Sequence, residues 1–181
     1  NTEFMVREEE LKSAKEKLNL SDVLVFSGPA GVGKTRLALQ ICEEIAAENS
    51  YEVLCIKSND LELYDDLIAS IETGKNYLVF VDDANELTGL HLVLDFLPKA
   101  AIGEKYVKKI VITVRDYARL QVVQKILEVE KPEILKVGLL KDEEIRKLIE
   151  TAYGITNHVY SDRIVAIAEG NARLAMLAGK L

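Results

Sequence analysis

Tryptophan is absent from the 181 residues, and cysteine, histidine and methionine occur only twice each. Two lone cysteines and two isolated histidines form no Cys/His cluster, so a zinc site with the usual ligand spacing is not expected. Cys42 and Cys55 fall on stretches that read as helix and strand, where single cysteines serve as small buried hydrophobes rather than as halves of a disulfide. No apolar run approaches the about 18 residues of a membrane-spanning helix, and no charged-then-apolar leader opens the chain, so the location is read as cytoplasmic with no membrane partner. Positive charge is also short, with 23 Lys and Arg against 30 Asp and Glu and a formal charge of −7. Such a balance does not indicate a broad nucleic-acid surface. Low-complexity tracts and internal repeats are missing too. What remains, 49% apolar and 29% charged residues, is the composition of a globular domain able to bury roughly 70% of its unfolded surface.

The most informative stretch is Gly28-Pro29-Ala30-Gly31-Val32-Gly33-Lys34-Thr35, which fits the phosphate-loop pattern G-x-x-x-x-G-K-[ST] at every fixed position. Wrapping a polyphosphate with backbone N–H groups requires positive-φ turns, and glycines at 28, 31 and 33 are expected to supply them. Lys34 would then lie between the β- and γ-phosphates and Thr35 would offer its hydroxyl to Mg²⁺. Arg36 follows on the first turn of a helix whose N-terminal dipole adds to the site. The context is that of a true loop. Val23-Leu24-Val25-Phe26 before it reads as a buried parallel strand, and Leu37, Ala38, Ile41, Cys42, Ile45 and Ala46 after it form one helical face.

Along the chain, Leu11, Ala14 and Leu18 predict a first helix, and residues 51–56 predict a second strand. A helix over about 60–72 follows, with Tyr64, Leu67, Ile68 and Ile71 inward. Tyr77-Leu78-Val79-Phe80-Val81 then runs into Asp82-Asp83, a buried strand delivering carboxylates to its C-terminal edge, where ligands bind in open α/β sheets. Asp82 would hold Mg²⁺, directly or through water, and Asp83 would face the attacking water. Leu90, Val93, Leu94 and Leu97 predict a helix ending near Pro98. Residues 109–116 predict a fourth strand, Leu120, Val123 and Leu127 a helix face, and residues 134–137 a weak fifth strand. Beyond residue 140 the pattern is wholly helical, with Asp142, Ser161 and Asn171 read as N-caps.

These motifs together resemble the signal-transduction ATPases of the STAND class, which include NB-ARC domains, and more distantly the AAA+ ATPases. Phe4-Met5-Val6-Arg7-Glu8-Glu9-Glu10-Leu11 is similar to the opening motif of that class, with Val6 in place of a glycine. Ile112-Thr113-Val114-Arg115-Asp116 is similar to its T-T-R-D sensor segment, and Glu169-Gly170-Asn171-Ala172-Arg173-Leu174-Ala175 stands where a G-x-P motif would lie, with Ala172 for the proline. The resemblance implies that Arg7 lies near the adenine, that Thr113 or Arg115 senses the γ-phosphate, and that Arg173 reaches it from the lid.

The resemblance further implies a three-layer αβα phosphate-loop fold with a five-stranded parallel sheet in the order 5-1-4-3-2 and a small C-terminal helical lid. The expected division is an N-terminal helix and linker over 1–22, a nucleotide-binding core over 23–140 and a lid over 141–181. ATP or ADP with Mg²⁺ is the expected ligand, with Lys34, Asp83 and Arg115 catalytic. Two roles stay open. One is a slowly hydrolysing regulatory switch joined to further domains of a longer protein. The other is a ring-forming ATPase, a homo-oligomer in ATP, that takes an arginine, Arg119, from its neighbour.

Overall fold

The structure is a computed structural model that describes residues 6–56, 63–97 and 106–181. Phe4 and Met5 of the opening motif, residues 60–62 of the expected third helix and Pro98 lie outside the described residues. Five strands, β1 (Val23–Gly28), β2 (Glu52–Ile56), β3 (Tyr77–Val81), β4 (Val107–Arg115) and β5 (Glu133–Lys136), form one sheet. Its order is 2-3-4-1-5, the expected order read from the opposite edge, and every neighbouring pair is parallel.

Every residue of β1 and β3 is buried, which is why neither shows polar alternation: helices cover both faces. The first face carries α1 (Glu8–Leu20) and α2 (Lys34–Asn49), packed on Leu24, Phe26, Leu78, Phe80 and Val111. On the other, α3 (Leu63–Ser70), α4 (Leu90–Leu94) and α5 (Arg119–Leu127) cover Val23, Val25, Val79, Ile110 and Ile112. Phe26 is wholly buried. Phe26→Ala is expected to destabilise the fold by about 3–5 kcal/mol through lost burial and a residual cavity, read from the urea midpoint.

Past β5 the chain forms three helices, α6 (Asp142–Tyr153), α7 (His158–Ala168) and α8 (Ala172–Ala178), which share a separate core of Leu140, Ile145, Ile149, Ile164, Ala168 and Ala175. Val6, at the other end of the chain, packs against this core. No described helix is long and apolar enough to cross a membrane.

Several local expectations are corrected. Cys55 is exposed, because β2 is an edge strand bonded only to β3, whereas Cys42 is buried as expected. Helix α5 turns a different face inward: Ala118, Val122 and Ile126 are buried at i, i+4 and i+8, while Leu120 and Leu127 are exposed. A 3-10 turn over Asp116–Ala118 precedes α5, and its buried Ala118 aligns that row. Ile68 of α3 is half exposed rather than inward. Ser161 lies buried inside α7, which Asn157 caps by accepting from the N–H groups of Val159 and Tyr160. Asp142 is the first helical residue of α6, and Lys141 holds the cap position, its N–H donating to Glu144. The cap at Asn171 is as expected.

Candidate functional site

β1 ends at Gly28 and α2 begins at Lys34, so the loop between them lies at the C-terminal edge of a central strand. Gly31 and Gly33 adopt φ of 79° and 98°, the left-handed region that glycine enters without steric cost. Gly28 does not, which corrects the expectation that all three glycines serve positive φ. Its requirement is space: a Cβ there would run into the backbone carbonyl of Val137. That carbonyl is brought close by β5, since the Val137 N–H donates to Ser27 O at 2.7 Å. The Lys34 ammonium donates to the carbonyls of Gly28 (2.9 Å) and Pro29 (2.8 Å). Burial pushes its pKa down from 10.5, against the opposing pull of Asp83.

β3 carries its two carboxylates to the same edge, and β4 meets them there. Asp82 Oδ1 accepts from Thr35 Oγ1 (2.8 Å) and from Thr113 Oγ1 (2.7 Å), joining the loop to the two strands. The Asp83 N–H donates to Thr113 Oγ1 at 2.8 Å. Asp83 itself sits at φ 47°, ψ 54°, a conformation that Asp and Asn tolerate better than most residues. Its Oδ2 accepts from Arg115 Nη2 at 3.2 Å, and that nitrogen also faces Glu86 at 3.4 Å. Of the two γ-phosphate sensor candidates, Thr113 is fully buried with its hydroxyl spent on Asp82 and Asp83, whereas Arg115 borders open space.

That space is a cavity of about 590 Å³. Its polar end is formed by residues 30–36 with Asp83 and Arg115, and its apolar end by Val6, Leu140, Leu148, Ala152, Ala172 and Met176. Arg7 and Arg173 also border it, while Gly28, Pro29 and Asp82 touch its lining residues and Arg119 lies apart from it. Arg7 is 3% exposed, and its guanidinium is held on two sides: Nη2 donates to the backbone carbonyls of Val32 (3.0 Å) and Gly138 (2.7 Å), and Nη1 to the Glu10 carboxylate (2.7 Å). Arg173 enters from the N-terminus of α8, with its side chain exposed.

Leu148 and Ala152 share an apolar helical face with Ile145 and Ile149 in the sequence, yet they line the cavity, as do Leu140, Thr151 and Met176, which no sequence pattern marks as part of a site. The apolar face of α6 gave a signal. Only Ile145 and Ile149 on it are buried, leaving the flanking row at 148 and 152 for something else to cover.

The sequence matches the family described as Novel STAND NTPase 3 over residues 5–153. The chain belongs to that family. Solved structures agree on the fold. A point mutant of Thermotoga maritima RuvB superposes with TM-score 0.70 at 19% identity, covering 96% of this chain and 59% of that one. A second mutant of the same protein gives 0.68 at 19% identity, with 94% and 61% covered. The Aeropyrum pernix ORC1 protein, solved in complex with DNA, gives 0.68 at 17% identity, with 96% and 59% covered. The STAND domain thus spans about 60% of the length of these structures. No curated protein matches the sequence. The family makes the domain a STAND NTPase, and the solved structures agree with it in fold.

Proposed function

We propose that this STAND NTPase domain is an ATPase and a slowly hydrolysing regulatory switch within a larger protein, responding to whether ATP or ADP lies between its core (residues 23–140) and its helical lid (residues 141–181). The observation that carries this reading is a cavity walled by both parts, with Arg115 of the core and Arg173 of the lid bordering it on the same chain. The adenine would lie against Leu148, Ala152 and Met176, and the phosphates against the N–H groups of the loop. Thr35 and Asp82, two hard oxygens already 2.8 Å apart, suit Mg²⁺, which is commonly held by one or two side chains together with substrate phosphates. Bound there, the ion would neutralise phosphate charge. Lys34 faces the transferred group, Asp83 orients water, and Arg115 and Arg173 offset charge that develops on the γ-phosphate.

A monomer already holding those cations needs none from a neighbour. The ATPase rate per subunit is therefore expected to stay low and flat as protein concentration rises, and mixing Lys34→Ala with Arg119→Ala subunits should restore nothing. The ring-forming alternative draws on one feature. Tyr117 and Leu120, beside Arg119, are 75% and 70% exposed and would suit a subunit face. A rate per subunit that climbs steeply with concentration, with a hexamer-sized species in ATP, would establish that reading instead.

A further inference from the structure

Each carbonyl of the loop from residue 28 to 33 has a donor. Lys34 holds those of Gly28 and Pro29, and the helical Leu37 N–H holds that of Gly33. The three between are held from outside the loop: Ala30 O by Asn171 Nδ2 (3.0 Å), Gly31 O by the Arg173 N–H (2.9 Å) and Val32 O by Arg7 Nη2 (3.0 Å). No described peptide bond is cis. A trans peptide unit is planar and directs its C=O and the following N–H oppositely, so whatever fixes one carbonyl also aims the next amide. The lid and the N-terminal segment therefore set the planes that carry the N–H groups of Gly31, Val32 and Gly33, all residues bordering the cavity.

We propose that Asn171 and Arg7 are positioning residues for phosphate binding, holding these planes from behind and so coupling lid docking to the phosphate ligand. The inference rests on the reading of the cavity as the nucleotide site. Donors fixed in advance need no reorganisation when an anion arrives, which is where the affinity gain lies. By linkage, whatever lid docking adds to phosphate affinity, phosphate adds to lid docking.

The residue type at 171 fits two tasks at once. Its Oδ1 accepts from the N–H groups of Arg173 (3.0 Å) and Leu174 (3.2 Å), capping α8, while its Nδ2 reaches the loop. Ser and Asp cap helices equally well but have no amide donor to place on Ala30 O. Gly31 completes the fit, since a Cβ there would lie 2.6 Å from Asn171 Oδ1.

Asn171→Ser and Asn171→Asp thus keep the cap and remove the tie to the loop. Both are expected to weaken ATP and ADP binding in calorimetry, the serine variant by about three- to tenfold, as for one lost hydrogen bond. Adenosine binding, followed by NMR, should not change, and the thermal midpoint of the nucleotide-free protein should fall only by what one exposed hydrogen bond contributes. ATP should slow hydrogen exchange at the Arg173 amide in the parental chain and do so less in Asn171→Ser. Arg7→Lys, which loses the planar fork, is expected to lower ATP affinity in the same sense. Parental ATP affinity in both Asn171 variants, or an equal loss of adenosine, would overturn this inference alone. A parental chain that binds neither ATP nor ADP would overturn the nucleotide reading and this inference with it.

Discussion

Lys34→Ala is expected to weaken ATP binding by roughly 10³-fold, because it removes the one loop side chain that sets a full charge against the phosphates. At an effective dielectric of about 20, a unit charge pair near 4 Å is worth about 4 kcal/mol, and each 1.4 kcal/mol is about tenfold in affinity. Lys34 also donates to the carbonyls of Gly28 and Pro29, so the fold of the variant is checked alongside by circular dichroism. The same lysine sets a pH dependence. Burial holds its pKa below 10.5 in the free protein, and bound phosphate favours the charged form, so affinity is full below the free-protein pKa. It falls as pH rises through that value, earlier than an ordinary lysine would titrate. Calorimetry on the folded variant and across pH checks both, and unchanged ATP affinity in Lys34→Ala would remove the loop from the site.

The sheet was legible because buried parallel strands announce themselves. But for Thr113, Val23–Phe26, Tyr77–Val81 and Ile110–Val114 are apolar without alternation, and the structure buries every one of these residues, Thr113 included. Helix faces were legible only where one periodic row stood alone. In α2 the row from Leu37 to Ala46 is unambiguous and wholly buried. In α5 two rows compete, and the choice fell to Ala118, a residue outside the helix whose small side chain carries little hydrophobic signal. Two of the three expected caps, Asp142 and Ser161, differ for a related reason. Asn157, Ser161 and Asp142 are all good cap chemistry, and only the backbone geometry selects among them.

The phosphate end of the site could be read because its chemistry demands fixed residue types at fixed spacing. The opposite end could not. An apolar wall formed by Val6, Leu140, Leu148, Ala152 and Met176 asks only for hydrophobic side chains, and these are indistinguishable in sequence from lid core. Arg7 and Asn171 show a third kind of illegibility. Each could be singled out from local pattern, one as part of an opening motif and one as a helix cap, but their bonds to Val32 and Ala30 span 25 and 141 residues and arise only from the packing of chain ends on the loop.

Asp83→Asn separates binding from chemistry. It is expected to slow hydrolysis by roughly 10²-fold or more while leaving MgATP binding intact. The backbone argues that the variant folds normally, because position 83 sits at φ 47° and Asn enters this region as readily as Asp. The ion pair with Arg115 is lost, but its side chains are 37% and 39% exposed, and pairs of that kind are worth about 0–1 kcal/mol. Releasing Arg115 and deleting one negative charge from the cavity wall both favour a polyanion, so ATP affinity should hold or rise while turnover falls. Asp82→Asn should act differently. Asp82 Oδ1 accepts from Thr35 and Thr113 at once, so the change falls on the oxygen set suited to Mg²⁺ and should show as a weaker Mg²⁺ dependence of binding. Single-turnover hydrolysis alongside calorimetry distinguishes the two. If both variants cleave ATP at the parental rate, the carboxylates at the end of β3 have no part in the chemistry, and the water must be oriented from elsewhere in the cavity.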